Sequence, residues 1–267
     1  MPRFDPGAPY AVAIEETTYP GGDGVRQPAS VFFPQGEGPF AIAVHVHGGA
    51  WNGGERLRAQ LVDEELAACG LIVAAIDFRL APAHPYPAQV EDTVAAIGWL
   101  REQAGRWNGD GARLGLIGDS SGGHTALLPA MQTGWNAGPI DWVIALWPVL
   151  DPHARYLYAV RNGYQRLARS TEAYFLTEEA MREANPQGLL DRGELVSLPP
   201  VQVIQGDTDA NIPNAIPLAF EIAYRNAGGL IELEWFAGQP HSFAINPGSH
   251  TAHAVVLMRN FVARQVG

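Results

Sequence analysis

The chain has 267 residues, an ordinary hydrophobic content of 47% and a formal net charge of −11 at pH 7. This charge argues against nucleic acid or an anionic membrane as a partner, because both repel an acidic surface. No apolar run reaches the ~20 residues of a membrane span, and residues 1–7 lack the basic and then apolar layout of a signal peptide. All 17 basic residues are arginines, which excludes lysine chemistry such as a Schiff base.

The cysteine content indicates the cellular compartment, and the length indicates the number of domains. The single cysteine, Cys69, rules out an internal disulfide framework and suits a reducing compartment. We therefore expect a soluble, cytoplasmic protein. An α/β core of this size is commonly one domain, so residues 1–267 are predicted to form a single domain.

Hydrophobic periodicity and turn residues predict strands that alternate with helices along most of the chain. In chain order the predicted elements are strands at 10–19, 29–33 and 40–46, a helix at 57–68, a strand at 71–77, a helix at 90–103, a strand at 114–117 with a helix after it, strands at 142–149 and 201–205, a helix at 213–226, a strand at 230–236 and a helix at 250–264. This order predicts an α/β fold with a mostly parallel sheet, an antiparallel start and helices on both faces.

Residues 151–198 interrupt the alternation, since they are polar and contain helical patterns near 155–169 and 177–183 but no strand pattern. Their position between two strands predicts a lid over a pocket at the carboxyl ends of the strands, where ligands bind in such sheets. A long surface excursion is the alternative. The lid is favoured because the segment is rich in aromatic side chains that need a surface to cover: Tyr156, Tyr158, Tyr164, Tyr174 and Phe175.

Residues 118–122, Gly-Asp-Ser-Ser-Gly, match the G-x-S-x-G pattern between the strand at 114–117 and the helix after it. In this context the pattern indicates a sharp, strained turn that exposes the central serine at the sheet edge. Ser120 is that residue, because Asp119 instead of glycine stands two positions before Ser121. The alternative is a glycine-rich turn without chemistry.

A nucleophilic serine needs a base and a carboxylate that orients the base. In α/β folds with the serine at such a strand-to-helix turn, the three residues follow along the chain in the order serine, acid, histidine. Asp209 comes directly after a predicted strand, and His241 lies in the loop after the last strand. Asp207 is the alternative acid; Asp209 is favoured because it is one step further out of the strand. The histidines that fit less well lie in predicted helices, namely His124, His250 and His253.

An oxyanion needs amide donors, and the loop Gly48-Gly49-Ala50 after a strand, together with the Ser121 amide, is suited to supply them. His45 and His47 share one face of that strand, so a metal pair has to be considered. No carboxylate or third histidine follows at ligand spacing, so we expect no metal, and His47 is expected to brace the glycine loop.

These residues together resemble the hormone-sensitive-lipase-like esterases of the α/β-hydrolase superfamily. The similarity rests on three blocks and on the order of the triad: residues 47–49, residues 78–87, residues 118–123, Asp209 and His241. The resemblance implies Ser120 as nucleophile, His241 as base and Asp209 as its partner. It also implies an oxyanion hole made by the amides of Gly49, Ala50 and Ser121.

The chain departs from the family pattern at two points, and both bear on the class of substrate. The third glycine of the family pattern is Ala50, followed by Trp51, which is closer to kynurenine-formamidase-like and feruloyl- or acetyl-xylan-esterase-like relatives. The N-terminal segment is too short for the helical cap of many members, which leaves residues 151–198 as the main lid.

The sequence therefore predicts a serine carboxylesterase for small apolar or aromatic esters, without a cofactor. We expect Trp51, Trp147 and Tyr156 to line a flat apolar pocket, although a tryptophan at such positions is as often a core residue. Arg155, Arg161 and Arg166 either meet a substrate carboxylate or, as is favoured, form a solvated helix face.

Two alternatives to the esterase stay open, and a homodimer is an open possibility for the assembly. An amidase or formamidase would use the same triad, with a small amide as substrate. A non-catalytic binding protein would resemble the gibberellin receptors, which have lost the catalytic histidine, whereas His241 is present here. A homodimer through an edge strand is common for such sheets.

Overall fold

A computed structural model describes residues 4–7, 9–194 and 197–266 of the chain. Residues 195 and 196 of the predicted lid lie outside the described residues, as do residues 1–3 of the segment compared with signal peptides. In the part that the structure describes, no helix combines the length and the apolar character that crossing a membrane requires.

The described strands form one sheet. They are β1 (Val12–Pro20), β2 (Arg26–Pro34), β3 (Phe40–Val46), β4 (Leu71–Ile76), β5 (Gly109–Asp119), β6 (Trp142–Leu146), β7 (Val201–Gly206) and β8 (Ile231–Phe236). Their order across the sheet is β1-β2-β4-β3-β5-β6-β7-β8. Pairing is antiparallel for β1 with β2 and for β2 with β4, and parallel for the other neighbours. The predicted α/β fold with an antiparallel start is confirmed.

Helices cover both faces of this sheet. They are α1 (Gln60–Ala67), α2 (Ala88–Gln103), α3 (Ser121–Met131), α4 (Pro152–Arg161), α5 (Gln165–Phe175), α6 (Glu178–Glu183), α7 (Pro186–Asp191), α8 (Ala215–Asn226) and α9 (Ser249–Val266). Apolar side chains of α2, α3 and α8 belong to the core on one face, and those of α1 and α9 belong to the core on the other.

The central strands are buried along their whole length, which explains their continuous apolar runs. Side chains alternate between the faces, so that Ile42 and Val44 of β3 join one core and Ala41 and Ala43 join the other. Because β3, β5, β6, β7 and β8 run parallel, their carboxyl ends lie at one edge of the sheet, where the functional loops begin.

Two strands have limits that differ from the sequence prediction. β5 begins at Gly109 and not at residue 114, because Gly109 pairs with Phe40 across a register shift that extends the ladder through polar residues. The strand predicted at 142–149 ends at Leu146, because Trp147 has a φ of 38°, which a strand does not accommodate.

Four helices, α4 to α7, occupy the insertion between β6 and β7. Three of them begin after an N-cap residue whose side chain accepts a hydrogen bond from a backbone amide of the first turn. These residues are Asp151 for α4, Thr177 for α6 and Asn185 for α7. Such N-caps satisfy amides that have no partner within the helix. The helical patterns predicted within residues 155–169 and 177–183 are therefore confirmed as helices, with a break before Gln165.

Candidate active site

Ser120 lies at the turn between β5 and α3, with φ 54° and ψ −117°. This left-handed φ is costly for a residue other than glycine, and it is the strained conformation that the sequence pattern predicts. The turn also depends on Gly122, where a Cβ would lie 2.0 Å from the carbonyl oxygen of Val46. Only glycine lets the start of α3 approach β3 so closely.

Ser120, His241 and Asp209 form a hydrogen-bonded series. The distance from Ser120 Oγ to His241 Nε2 is 2.9 Å, and that from His241 Nδ1 to Asp209 Oδ2 is 2.7 Å. Ser120 and Asp209 are both buried, with 6% of their surface exposed. The structure thus brings together the three side chains that the sequence places after β5, β7 and β8.

The two candidate acids differ in what they contact. Asp209 reaches His241, whereas Asp207 accepts the amide of Gly238 at 2.6 Å and stays exposed. Both carboxylates follow β7, but Asp207 remains at the strand end and binds the turn that precedes the histidine loop. The preference for Asp209 agrees with this geometry.

The loop after β3 places its amides beside Ser120. Gly49 and Ala50 line the same cavity as Ser120, and among the described residues neither amide has an acceptor. Gly49 has a φ of 138°, and a Cβ there would lie 1.9 Å from the Gly53 carbonyl oxygen, so the loop conformation requires glycine. Ser121 is the first residue of α3, where an amide has no acceptor within the helix.

A buried polar network fixes this glycine loop to the turn at Ser120. Asp119 Oδ1 accepts the Gly48 amide at 2.8 Å. His45 Nδ1 lies 2.5 Å from Asp63 Oδ1, and His45 Nε2 lies 3.8 Å from Asp119. Burial lowers the pKa of His45, but the charge of Asp63 and its hydrogen bond outweigh burial and raise it above its usual value.

His47 has the bracing contacts expected from the sequence. Its Nδ1 donates to the Gly48 carbonyl oxygen at 2.8 Å, and its ring stacks on Phe78 at 4.2 Å between centroids. Burial lowers the pKa of His47, which favours the neutral imidazole. Within the described residues, no three or more His, Cys, Asp or Glu side chains are grouped so that they could hold a metal ion.

A cavity of about 600 Å³ opens in front of Ser120 and His241. Its walls come from the glycine loop, from Asn211 after β7, and from the insertion. The insertion contributes six lining residues, namely Arg155, Tyr164, Gln165, Arg166, Leu167 and Ser170. Residues of α4 and α5 therefore face Ser120 across this cavity, at the position predicted for a lid.

The prediction that Trp51 and Trp147 line this pocket is wrong. Trp51 is 1% exposed and stacks on Tyr174 of α5, with 5.0 Å between centroids and an interplanar angle of 3°. Its φ of 63° directs the chain so that the ring enters the core. Trp147 is fully buried and packs behind the imidazole of His241 and against Phe243.

Tyr156 is also not a lining residue of the cavity. Its hydroxyl donates to Glu172 Oε1 at 2.8 Å on the outer side of the insertion. This hydrogen bond joins α4 to α5, because the two residues lie on neighbouring helices. Of the aromatic side chains counted for the lid, Tyr164 is the one that reaches the cavity, while Tyr174 and Phe175 are buried around Trp51.

For Arg155 the sequence favoured a solvated helix face over contact with a substrate carboxylate, and this preference is wrong. Arg155 is 2% exposed and lines the cavity. A signal was present, because Pro152, Arg155 and Ala159 share the buried face of α4 at helical spacing. Arg58 also lines the cavity and carried no sequence signal.

Comparison with known proteins defines the family. Residues 43–245 match the model of a family described as having the alpha/beta hydrolase fold. This match covers more than half of the chain, and the chain therefore belongs to that α/β-hydrolase family. The resemblance predicted from the residues at positions 47–49 and 118–123 is confirmed at this level.

Individual relatives carry esterase names. Carboxylesterase NlhH of Mycobacterium tuberculosis is 36% identical over 137 residues, which are 50% of this chain and 43% of that protein. Esterase LipC of the same species is 31% identical over 252 residues, which are 85% of this chain and 59% of LipC. The matched parts thus span 43% and 59% of the length of these two relatives.

Solved structures show the same fold. A hyperthermophilic esterase from the archaeon Pyrobaculum calidifontis superposes with a TM-score of 0.80 at 21% identity, covering 98% of this chain and 88% of that one. At this identity the likeness concerns the fold, and the activity has to be argued from the residues of the site.

Proposed function

We propose that the chain is a serine carboxylesterase that hydrolyses small esters through an acyl-enzyme on Ser120. The observation that carries this proposal is the series Ser120, His241 and Asp209, with contacts of 2.9 Å and 2.7 Å. The esterase names of NlhH and LipC support an ester as the substrate.

In the first half of the reaction, His241 Nε2 takes the proton of the Ser120 hydroxyl as the oxygen attacks the ester carbonyl carbon. The imidazolium that forms is stabilised by Asp209, to which Nδ1 donates. His241 then gives the proton to the departing alkoxide, which leaves as the alcohol. The product of this half is an ester of Ser120 with the acyl group.

In the second half, water replaces the alcohol. His241 removes a proton from the water as it attacks the acyl-enzyme, and then returns the proton to Ser120 Oγ. The free acid leaves, and the serine is restored. The strained backbone of Ser120 keeps Oγ in front of the imidazole through both halves.

The negative charge that develops on the carbonyl oxygen needs donors in place before the reaction. The amides of Gly49 and Ala50 have no acceptor among the described residues, and Ser121 begins α3, so these three amides are suited to hold the oxyanion. The positive end of the α3 dipole adds to them. A cavity of about 600 Å³ suits a small substrate.

The test combines covalent labelling with turnover. A fluorophosphonate probe should label Ser120, as located by mass spectrometry, and the protein should hydrolyse p-nitrophenyl acetate. Ser120→Ala should abolish labelling and lower kcat on the order of 10⁶-fold. Ser197→Ala is the matched control, because Ser197 is exposed and its amide binds the Met131 carbonyl oxygen, at the end of α3 opposite to Ser120.

Three outcomes are informative. Turnover that persists in Ser120→Ala would exclude the acyl-enzyme. Folded wild-type protein without labelling or turnover would favour a binding protein instead of an enzyme. An N-formyl arylamine is assayed beside the ester, and a higher kcat/KM for this amide would assign the chain to the formamidase alternative.

A further inference from the structure

The cavity in front of Ser120 has an unusual charge composition for this protein. Three arginines, Arg58, Arg155 and Arg166, line it, and no aspartate or glutamate is among its described lining residues. The whole chain, by contrast, has a formal net charge of −11. Positive charge is therefore concentrated at the site where the substrate binds, and a cavity with such walls favours anionic ligands.

Arg155 is the most unusual of the three, because it is a buried cation without a carboxylate partner. Its side chain is 2% exposed, and among the described residues no carboxylate oxygen lies within 4.0 Å of its guanidinium. Nη1 donates to Thr171 Oγ1 at 3.3 Å, and Cζ lies 5.6 Å from the ring centroid of Trp51. Nε is buried and has no hydrogen-bond acceptor.

Asp209 does not supply the acceptor that Arg155 lacks. The charge of Asp209 acts on Arg155 through space, but both carboxylate oxygens are already engaged. Oδ2 accepts from His241 and Gln205, and Oδ1 accepts the amides of Asn211 and Ile212. Burial lowers the pKa of Arg155 to about 10, so the guanidinium remains charged at neutral pH.

The described part of the chain gives the two other arginines no acidic partner either. Arg58 Nη2 donates to Ser242 Oγ at 3.2 Å, and its Nε is buried without an acceptor. Arg166 is exposed at the start of α5, and the described residues place no carboxylate within 4.0 Å of it. Burying an unpaired cation costs free energy unless a ligand supplies the missing acceptor.

We propose that the ester hydrolysed at Ser120 carries an acidic group, a carboxylate or a phosphate, which Arg155 binds with help from Arg166 and Arg58. Guanidinium groups match both acidic groups through paired N–H donors. This inference rests on the proposed esterase function and narrows its substrate class. It replaces the apolar aromatic ester that the sequence favoured.

A structural role for Arg155 is the competing explanation. The guanidinium could hold Asp209 and Trp51 in place and thereby position the triad. Loss of such a positioning residue would slow every ester by the same factor. Recognition of an acidic group would instead slow anionic esters more than neutral ones, so the ratio of the two rates distinguishes the explanations.

The experiment measures kcat/KM for 4-acetoxybenzoate and 4-acetoxyphenyl phosphate, each relative to neutral 4-acetoxybenzamide, at constant ionic strength. Arg155→Met should lower the anionic-to-neutral ratio about tenfold, the usual scale for one charge-assisted hydrogen bond. Comparing ratios between variants cancels the different reactivities of the leaving groups. The anionic ester whose ratio falls more in Arg155→Met identifies the acidic group that the site prefers.

Arg166→Gln and Arg161→Gln form a matched pair in case Arg155→Met does not fold. Both arginines are exposed in the insertion, but only Arg166 lines the cavity. The ratio should fall several-fold, on the order of a partly screened ion pair, in Arg166→Gln and stay at the wild-type value in Arg161→Gln. Added salt should lower the wild-type ratio.

Equal ratios in all variants, with neutral ester still hydrolysed through Ser120, would overturn the inference and leave the esterase function intact. An equal loss for anionic and neutral esters in Arg155→Met would also overturn it, in favour of the positioning role. Absence of hydrolysis of all three esters by the wild-type protein would instead contradict the proposed function itself.

Discussion

At the scale of single residues, the carboxylate of Asp209 shows how the proposed triad is fixed. Four donors hold it: His241 Nδ1 at 2.7 Å, Gln205 Nε2 at 3.0 Å and the amides of Asn211 and Ile212 at 2.7 and 3.0 Å. Two of these are backbone groups, so the carboxylate cannot turn without moving the chain after β7. The imidazole is therefore held with its proton on Nδ1 and with Nε2 free to accept from Ser120.

Asp209→Asn tests this arrangement. An amide can present N–H to Nδ1 and so favour the wrong tautomer of His241, and kcat should fall about 10³- to 10⁴-fold. Asp207→Asn is the control, because Asp207 binds the Gly238 amide and does not contact the histidine. Steady-state kinetics with p-nitrophenyl acetate measure both variants. Equal losses in the two variants would argue against Asp209 as the partner of His241.

At the scale of elements, Trp51 joins three parts of the molecule. It follows the glycine loop of β3, stacks on Tyr174 of α5, and meets the ring of His124 in α3 edge to face at 5.4 Å between centroids. A backbone hydrogen bond also holds α5 in place, because the Tyr86 amide donates to the Tyr174 carbonyl oxygen at 2.8 Å. Tyr174 and Phe175 therefore attach α5 to the core around Trp51.

Trp51→Ala should accordingly lower the free energy of unfolding by about 3–5 kcal/mol, the usual cost of truncating a fully buried aromatic residue. Trp235→Ala is the control: Trp235 is 37% exposed on β8, and its loss should cost about 1 kcal/mol or less. Urea unfolding measures both. Hydrogen exchange should also show less protection in α5 for Trp51→Ala, and unchanged protection there would contradict the proposed attachment.

At the scale of the whole molecule, buried histidines connect stability to pH. Burial lowers the pKa of His124 to about 4, the Ala184 carbonyl oxygen that accepts from Nε2 acts in the opposite direction, and the charge of Arg155 lowers it further. The unfolded chain binds this proton near pH 6.5. Between these two values the unfolded state holds more protons, so the stability that neutral His124 contributes is lost as the pH falls.

The comparison of wild type with His124→Gln isolates this effect from the other titrating groups. Between pH 7 and pH 5 the wild type should lose about 2 kcal/mol of unfolding free energy that the variant does not lose. His253→Asn, an exposed histidine of α9, should keep the wild-type pH dependence. Urea titrations at both pH values provide the measurement, and parallel losses in wild type and His124→Gln would contradict it.

The parts of the site that follow from local pattern could be predicted. Glycines around Ser120 force one turn type, and the order of strands in a parallel sheet places Asp209 and His241 at the same edge. The side chains that line the cavity could not be predicted in this way. Trp51 is turned into the core by a left-handed backbone, φ 63°, which no alternation of apolar residues indicates.

Arg155 illustrates a second limit of sequence reasoning. Its charge favoured solvent, whereas its position on α4 with Pro152 and Ala159 placed it inward. Which of the two decides depends on whether the fold leaves a cavity there, and this follows from the packing of α4 against α5. The strand limits depended in the same way on long-range pairing, as at Gly109 and Phe40.

The sheet order has a consequence for synthesis of the chain. Among the described strands, β7 and β8 come last both along the chain and across the sheet, and the proposed acid and base follow them. A nascent chain that ends before residue 241 therefore lacks the base, although it already contains the nucleophile and the glycine loop. The proposed nucleophile, Ser120, therefore gains its hydrogen-bond partner only after residue 241 has been synthesised and the loop after β8 has reached the edge of the sheet.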